Sequence, residues 1–304
     1  MLPDSRGNRL PDRGGRIADR PIRVAVAAGC ALVWSVVLLV AACAASHEPA
    51  SRGSAPAGSS AGTVGLLQVN LCDSGIATCF TGRSVAATAA LIRAERPDIV
   101  TVNEACREDV SVLARAMSAT FRGRPVASAF KAAVNRPSDG PYRCRNGEQY
   151  GIGVVAAGAN AAAGSRSVSG VYPMQDSADP EERVWLCLDA PEDLLACTTH
   201  TASTSASVAL AQCRYFFGSA LPRIPGVHGR RVVFGADLNL PVGRSPGPQS
   251  CVPPGYRRVD DGARMDIVVG PGITIRSRTV LDMHATTDHP GLLADLTVPP
   301  SAAP

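Results

Sequence analysis

The sequence predicts an α/β layered domain, and three observations point there. Short runs rich in Val, Leu and Ile recur between residues 63 and 299, amphipathic stretches separate some of them, and polar residues stand at the C-terminal ends of several runs. Strands interleaved with helices over that length bury a substantial core.

Taken in chain order, VGLLQVN (64–70), DIVTVNE (98–104), GIGVVAA (151–157), RVVFGAD (231–237), MDIVV (265–269) and GLLADLTV (291–298) read as mostly buried strands. In REDVSVLARAMS, the residues Val110, Leu113, Ala114 and Met117 fall at i, i+3, i+4 and i+7, a single core-facing helical stripe. Leu210, Cys213, Phe217 and Leu221 mark another helix before PRIPG. RVWLCL and LLACTT, separated by DAPED, read as a hairpin, and no internal repeat is evident.

The flank before this domain is of another kind. Residues 1–43 hold six arginines against three aspartates, and residues 24–45 are uncharged, long enough to cross a bilayer. Its end, VAAC, resembles a bacterial lipobox in which Cys43 is lipidated. An uncleaved signal anchor is the alternative, because the charged region before the apolar run is long. Either way the protein is expected to be exported and held at the extracytoplasmic face of the membrane, or secreted. Residues 44–62, rich in Ala, Ser, Gly and Pro, read as a flexible linker, residues 63–299 as the folded domain and residues 300–304 as a tail.

Beyond residue 43 the chain carries 24 basic and 23 acidic residues. That balance lacks the global basic bias of a nucleic-acid protein, although it is compatible with a local basic stripe. Eight cysteines remain: Cys72, Cys79, Cys106, Cys144, Cys187, Cys197, Cys213 and Cys251. An even count in an exported domain points to disulfides, and no Cys-x-x-Cys pair suggests zinc. Cys72 and Cys79 flank a short loop, and Cys187 and Cys197 lie on the two arms of the hairpin; the remaining connectivity is open.

Several strand-like runs end in polar side chains: Asn70 after LLQV, Glu104 after IVTVN, His200 after LLACTT, and Asp237 with Asn239 after RVVFGA. Strand ends on one edge of a layered sheet can converge on a cleft. Singly, Asn70 is explained as a turn cap, Glu104 as a strand-end ion pair and His200 as a half-buried imidazole. In GADLN, Gly235 would let the backbone turn, and Asp and Asn two apart would face the same volume, a pattern an Asx turn also produces.

The ordered set is more specific than its parts. LLQVNLC, RPDIVTVNEAC, CTTHTAS, VVFGADLN, RMDIVV and TTDHPGLLADL resemble the motifs of the endonuclease/exonuclease/phosphatase superfamily, the deoxyribonuclease I-like fold, over residues 64–298. The resemblance implies a four-layered α/β sandwich with two packed mixed sheets flanked by helices, and one cleft for a phosphate ester. It implies that Glu104 ligates a divalent cation, Mg²⁺ with Mn²⁺ or Ca²⁺ as alternatives, with Asn70 and Asp288 close by. It further implies that His289 faces the phosphate and is oriented by Asp266, and that Asp237 orients or deprotonates the attacking water. Asn239 would hold the phosphate or the water, and His200 would donate to a phosphate oxygen or protonate the leaving group. Two departures stand out. Asn103 occupies a position where the family usually has Gln, and the insert RPSDGPYRCRNGEQYG (136–151) is either a substrate-contacting loop or a disulfide-pinned turn. His284 and His228 match no motif and read as surface residues.

The activity implied is metal-dependent hydrolysis of phosphodiesters, nuclease-like first, by a monomer tethered to the membrane. A sphingomyelinase-like phospholipid or small-phosphate hydrolase is the alternative. A non-catalytic envelope binding domain on the same fold is the alternative of another class.

Overall fold

Two pairs of parallel strands organise the molecule. In the computed structural model, which describes residues 62–158, 165–227 and 229–300, β1 (Gly62–Asn70) runs parallel to β2 (Ile99–Cys106), with Asn70 level with Asn103. The apolar segment at 24–45, Cys43, the linker before Gly62, His228 and the tail beyond Pro300 lie outside the described residues. Among the described residues no helix is long and apolar enough to cross a membrane.

The remaining elements complete two sheets and their covering helices. After β1 come α1 (Ser84–Glu95), β2, α2 (Arg107–Thr120), β3 (Val126–Ala132), the short β4 (Val134–Asn135) and β5 (Gly140–Pro141), and β6 (Tyr150–Ala157). The second half holds β7 (Ser167–Val171), the short β8 (Glu181–Glu182), β9 (Val184–Asp189), β10 (Leu194–His200), α3 (Ala206–Tyr215) and β11 (Arg231–Asp237). It closes with β12 (Arg257–Asp260), β13 (Met265–Val269), β14 (Thr274–Leu281) and β15 (Gly291–Val298). The first sheet has the order β14-β15-β1-β2-β6-β3, the second β12-β13-β11-β10-β9-β7, and β5-β4-β8 form a small third. The second parallel pair is β10 with β11, which sets His200 level with Asp237. Parallel strands end side by side, so each large sheet presents two neighbouring C-termini at its centre.

Three apolar layers hold this arrangement. Leu66, Ile99 and Val154 of the first sheet meet Leu186, Leu194 and Ile267 of the second in the inter-sheet core. The outer face of the first sheet is covered by α1 and α2, where Val110, Leu113 and Met117 of the expected stripe are buried. The outer face of the second is covered by α3 and the turns after it, with Cys213, Phe217 and Leu221 buried. The result is the four-layered sandwich of two mixed sheets that the motif resemblance implies. Helix α1 escaped the periodicity reading because SVAATAALIRAE is rich in Ala, a strong helix former that leaves little apolar stripe to detect.

Gly235 has a role different from the expected turn. It lies inside β11, and a Cβ there would stand 2.2 Å from Thr101 Oγ1 of the opposite sheet. The missing side chain lets the sheets approach at the site. Four disulfides pair all eight cysteines: Cys72–Cys79 and Cys187–Cys197, as their local spacing suggests, and Cys106–Cys144 and Cys213–Cys251.

Candidate active site

The C-terminal ends of the two parallel pairs meet across the sandwich. A buried polar network fixes their spacing. Asn103 Nδ2 donates to Thr198 Oγ1 (3.2 Å) and to the Thr199 carbonyl (3.0 Å), while its Oδ1 accepts from Gln68 Nε2 (2.7 Å) and from the Asp237 N–H (2.8 Å). Asn103 therefore joins β2 to β10 and β11. Its shorter amide serves the scaffold and does not face the cleft. Buried amides so fully satisfied hold one geometry, since any shift would leave a polar group unpaired.

Beyond Asn103 the backbone of β2 breaks register with β6, and Glu104 adopts φ +53°. A left-handed non-glycine residue at a bulge re-aims its side chain at the cost of local strain. The Glu104 carboxylate enters a cleft of about 420 Å³ that is also lined by His200, Asp237, Asn239, Asp288 and His289. Asn70 stands beneath them. Its Nδ2 donates to Glu104 Oε1 (2.8 Å) and Asp237 Oδ2 (3.1 Å), and its Oδ1 accepts from the Cys72 N–H (3.0 Å). Through its Nδ2, Asn70 orients two carboxylates of the cleft, while its Oδ1 is anchored to the backbone of Cys72. The Thr287 hydroxyl donates to the Asn70 carbonyl (3.0 Å), which ties the Asp288–His289 loop to the end of β1.

Asp237 is the centre of the site. Its Oδ1 accepts the Asn239 N–H (2.9 Å), and its Oδ2 lies 3.5 Å from His289 Nε2 and 3.9 Å from His200 Nε2. Burial pushes the Asp237 carboxyl up, against the opposing pull of His289, the Asn239 N–H and Asn70. Glu104 is also raised, first by burial, with Asp237 and Asp288 adding to it against Asn70 and Arg183. His200 is pushed well below the usual imidazole range by burial, then by Arg183, His289 and Arg264.

The tautomer of His200 follows from its neighbour. Arg183 Nη1 lies 2.8 Å from His200 Nδ1. A guanidinium has no acceptor, so Nδ1 must present its lone pair and the ring proton sits on Nε2, facing Glu104 and Asp237. Arg183 is itself held by Asp179 (2.7 Å) and Glu181 (3.3 Å). Sequence reading missed this residue. Its only signal is a cation after two acidic residues in PEERVW, which looks like an ordinary charged turn.

Two expected contacts are made with other partners. Asp266, at the buried face of β13, accepts from Arg258 Nη1 (2.5 Å) and forms no hydrogen bond or ion pair with His289, whose carboxylate neighbours are Asp237 and Asp288. The hairpin β12–β13 sets Arg258 opposite Val268, on the same face as Asp266, and the ion pair follows from that register. The Asn239 side chain is committed at both ends, its Nδ2 to the Thr201 carbonyl (3.0 Å) and its Oδ1 to Arg264 Nη1 (2.9 Å). Arg264, also unanticipated, lines the cleft and brings a cation there. The insert is the disulfide-pinned turn, Cys144 being bonded to Cys106, and its Tyr142 and Tyr150 line the cleft. His284 is exposed beside Asp282, as a surface residue should be.

The donor set fits a hard divalent cation. Glu104, Asp237 and Asp288 bring three carboxylates to one cleft, hard oxygen donors of the kind such an ion takes. Glu104 and the exposed Asp288 are the residues that would hold it.

No protein-family model matches the sequence, and no curated protein matches it. Solved structures do. An endonuclease/exonuclease/phosphatase from Beutenbergia cavernae superposes with a TM-score of 0.56 at 17% identity, over 79% of this chain and 72% of that one. An endonuclease/exonuclease/phosphatase family protein from Bacteroides thetaiotaomicron gives 0.57 at 10% identity, over 79% and 99%. The human Nocturnin catalytic domain with bound sulfate anion gives 0.56 at 14% identity, over 77% and 93%. The two packed mixed sheets with their covering helices are thus the deoxyribonuclease I-like fold shared by endonuclease/exonuclease/phosphatase structures.

Proposed function

We propose that the protein is a metal-assisted phosphoesterase that hydrolyses phosphodiesters, nuclease-like in its chemistry. The observation that carries this reading is the convergence of Glu104, His200, Asp237 and His289 on one small volume from four separate chain segments. The fold shared with phosphatase and nuclease structures supports it, as does the tetrahedral sulfate held by the Nocturnin domain.

In this reading Asp237 takes the proton of the attacking water, its basicity raised by burial toward the working pH. His200, neutral with its proton on Nε2, donates a hydrogen bond to a phosphate oxygen. A neutral N–H is a poor acid, so the leaving oxygen takes its proton from His289, the imidazole that no arginine holds. Arg264 adds positive charge where equatorial charge develops. A divalent cation held by Glu104 and Asp288 would supply Lewis-acid stabilisation of the same charge. The four disulfides and the uncharged apolar segment at 24–45 support a location outside the cytoplasm, held at the membrane.

The test is a substrate panel of plasmid DNA, single-stranded oligonucleotide, sphingomyelin, inositol phosphates and bis-p-nitrophenyl phosphate, each with Mg²⁺, Mn²⁺, Ca²⁺ or chelator. Cation-dependent cleavage of the nucleic acids and of the small diester is expected, with loss in His289→Ala. Release of phosphocholine from sphingomyelin without nucleic-acid cleavage would transfer the assignment to a phospholipid hydrolase.

A further inference from the structure

The edge strands β12 and β14, one from each large sheet, face one another along one side of the sandwich. A groove of about 310 Å³ opens between them, lined by Arg257 and Arg258 from β12 and by Arg276 and Arg278 from β14. Val259 and Ile275 pack beneath it against the inter-sheet core.

These four guanidinium groups are unequally engaged. Arg258 is spent on Asp260 (2.8 Å) and Asp266 (2.5 Å). Arg278 donates to the Asp260 carbonyl, stands 3.8 Å from that carboxylate, and keeps 49% of its side chain exposed. Arg257 and Arg276 are exposed and make no hydrogen bond or ion pair among the described residues. The other carboxylate nearby, Asp295, is held by Ser277 Oγ (2.6 Å). A local excess of positive charge remains, in a chain otherwise close to neutrality beyond residue 43. Edge arginines also discourage pairing with other chains. That role does not require two edges from different sheets to line one groove.

Both groove strands continue along the chain into segments that line the cleft. β12 continues into the turn that carries Arg264, and β14 into the loop that carries Asp288 and His289. At roughly 3.3 Å per residue, Arg257 and Arg278 lie about 10 Å back from the strand ends nearest the cleft.

We propose that this groove binds the phosphate backbone of a nucleic acid beside the bond cut in the cleft, an inference that rests on the phosphodiesterase reading for its link to cleavage. Guanidinium forks match phosphate oxygens, and a regularly charged chain would meet cleft and groove in succession.

The experiment uses the double variant Arg257→Ala/Arg276→Ala and a fluorescein-labelled single-stranded oligodeoxynucleotide. Anisotropy is read in EDTA, so that binding is measured whether or not cleavage occurs. Affinity is expected to fall about tenfold, and the slope of log K against log salt to become shallower by about 1.4, two phosphate contacts at about 0.7 each. Melting temperature and turnover of bis-p-nitrophenyl phosphate should stay at wild-type values. Unchanged affinity and slope would overturn the proposal, as would a loss of binding confined to phosphatidylserine vesicles. Absence of diester turnover in the wild type would instead sink the enzymatic reading, leaving the anisotropy result to decide the groove.

Discussion

In the cleft, Glu104, Asp237 and Asp288 crowd around two imidazoles, whereas in the groove Arg257, Arg276 and Arg278 face fewer carboxylates than guanidinium groups. Both regions are read as meeting the same anion, yet they carry opposite charge. The difference separates chemistry from attraction. On the proposed reading, a cleft lined by carboxylates would repel a phosphate until a divalent cation joined it, which would couple substrate entry to metal loading. A groove of exposed arginines attracts phosphate at all times, weakly and with strong dependence on salt.

The widest breach of this contrast should come from Asp237→Asn. Losing the proposed base is expected to lower kcat by about 10³-fold, within the usual range for general base catalysis. Oligonucleotide binding in EDTA should be unchanged, because the groove arginines are untouched. Next in size is Asn70→Ala, which removes the donor shared by Glu104 and Asp237. Partners that orient a ligand typically contribute 10–100-fold in metal affinity, so Mn²⁺ titration by calorimetry should weaken by about that factor.

Arg183→Lys probes the tautomer lock and should cost about tenfold in kcat with little change in KM, since an ammonium cannot satisfy His200, Asp179 and Glu181 with the same planar fork. Nitrogen-15 spectra check the cause. His200 Nδ1 should appear unprotonated in the wild type and mixed in the variant.

The smallest effect concerns pH and stability. Burial, opposed by Arg258, holds Asp266 up at about 8, and burial with Asp73 nearby holds Asp109 up at about 7. In the unfolded chain both carboxyls titrate near about 4. The folded state therefore keeps protons that the unfolded state releases between these values. Their stabilising contribution is whole below about pH 4 and is lost as the pH rises towards 7 and 8. Metal-free protein should melt a few degrees lower at pH 8 than at pH 5. Asp266→Asn and Asp109→Asn should each flatten that trend in calorimetry.

What could be read from the sequence follows from local chemistry. Buried strands announce themselves by composition, and Asn70, Glu104, His200 and Asp237 stand where such runs stop, so the cleft-forming ends were visible. Partner choice was not. Whether Asp266 meets His289 or Arg258 depends on the register of a hairpin, and Arg258 looks like any exposed strand arginine until β12 pairs with β13. Arg183 and Arg264 reach the cleft from turns whose charges resemble solvated surface. The arginine groove was invisible for a related reason, because its lining comes from strands of two different sheets.

The most direct test compares turnover of bis-p-nitrophenyl phosphate by the wild type and by Asp237→Asn, at matched fold and in the same Mg²⁺ buffer, with chelator as the third arm. Turnover that needs the cation and falls by about 10³-fold in the variant is the predicted result. Turnover that survives the substitution, or a wild type that cleaves no phosphodiester with any divalent cation, would contradict the assignment of this cleft as a metal-assisted phosphoesterase.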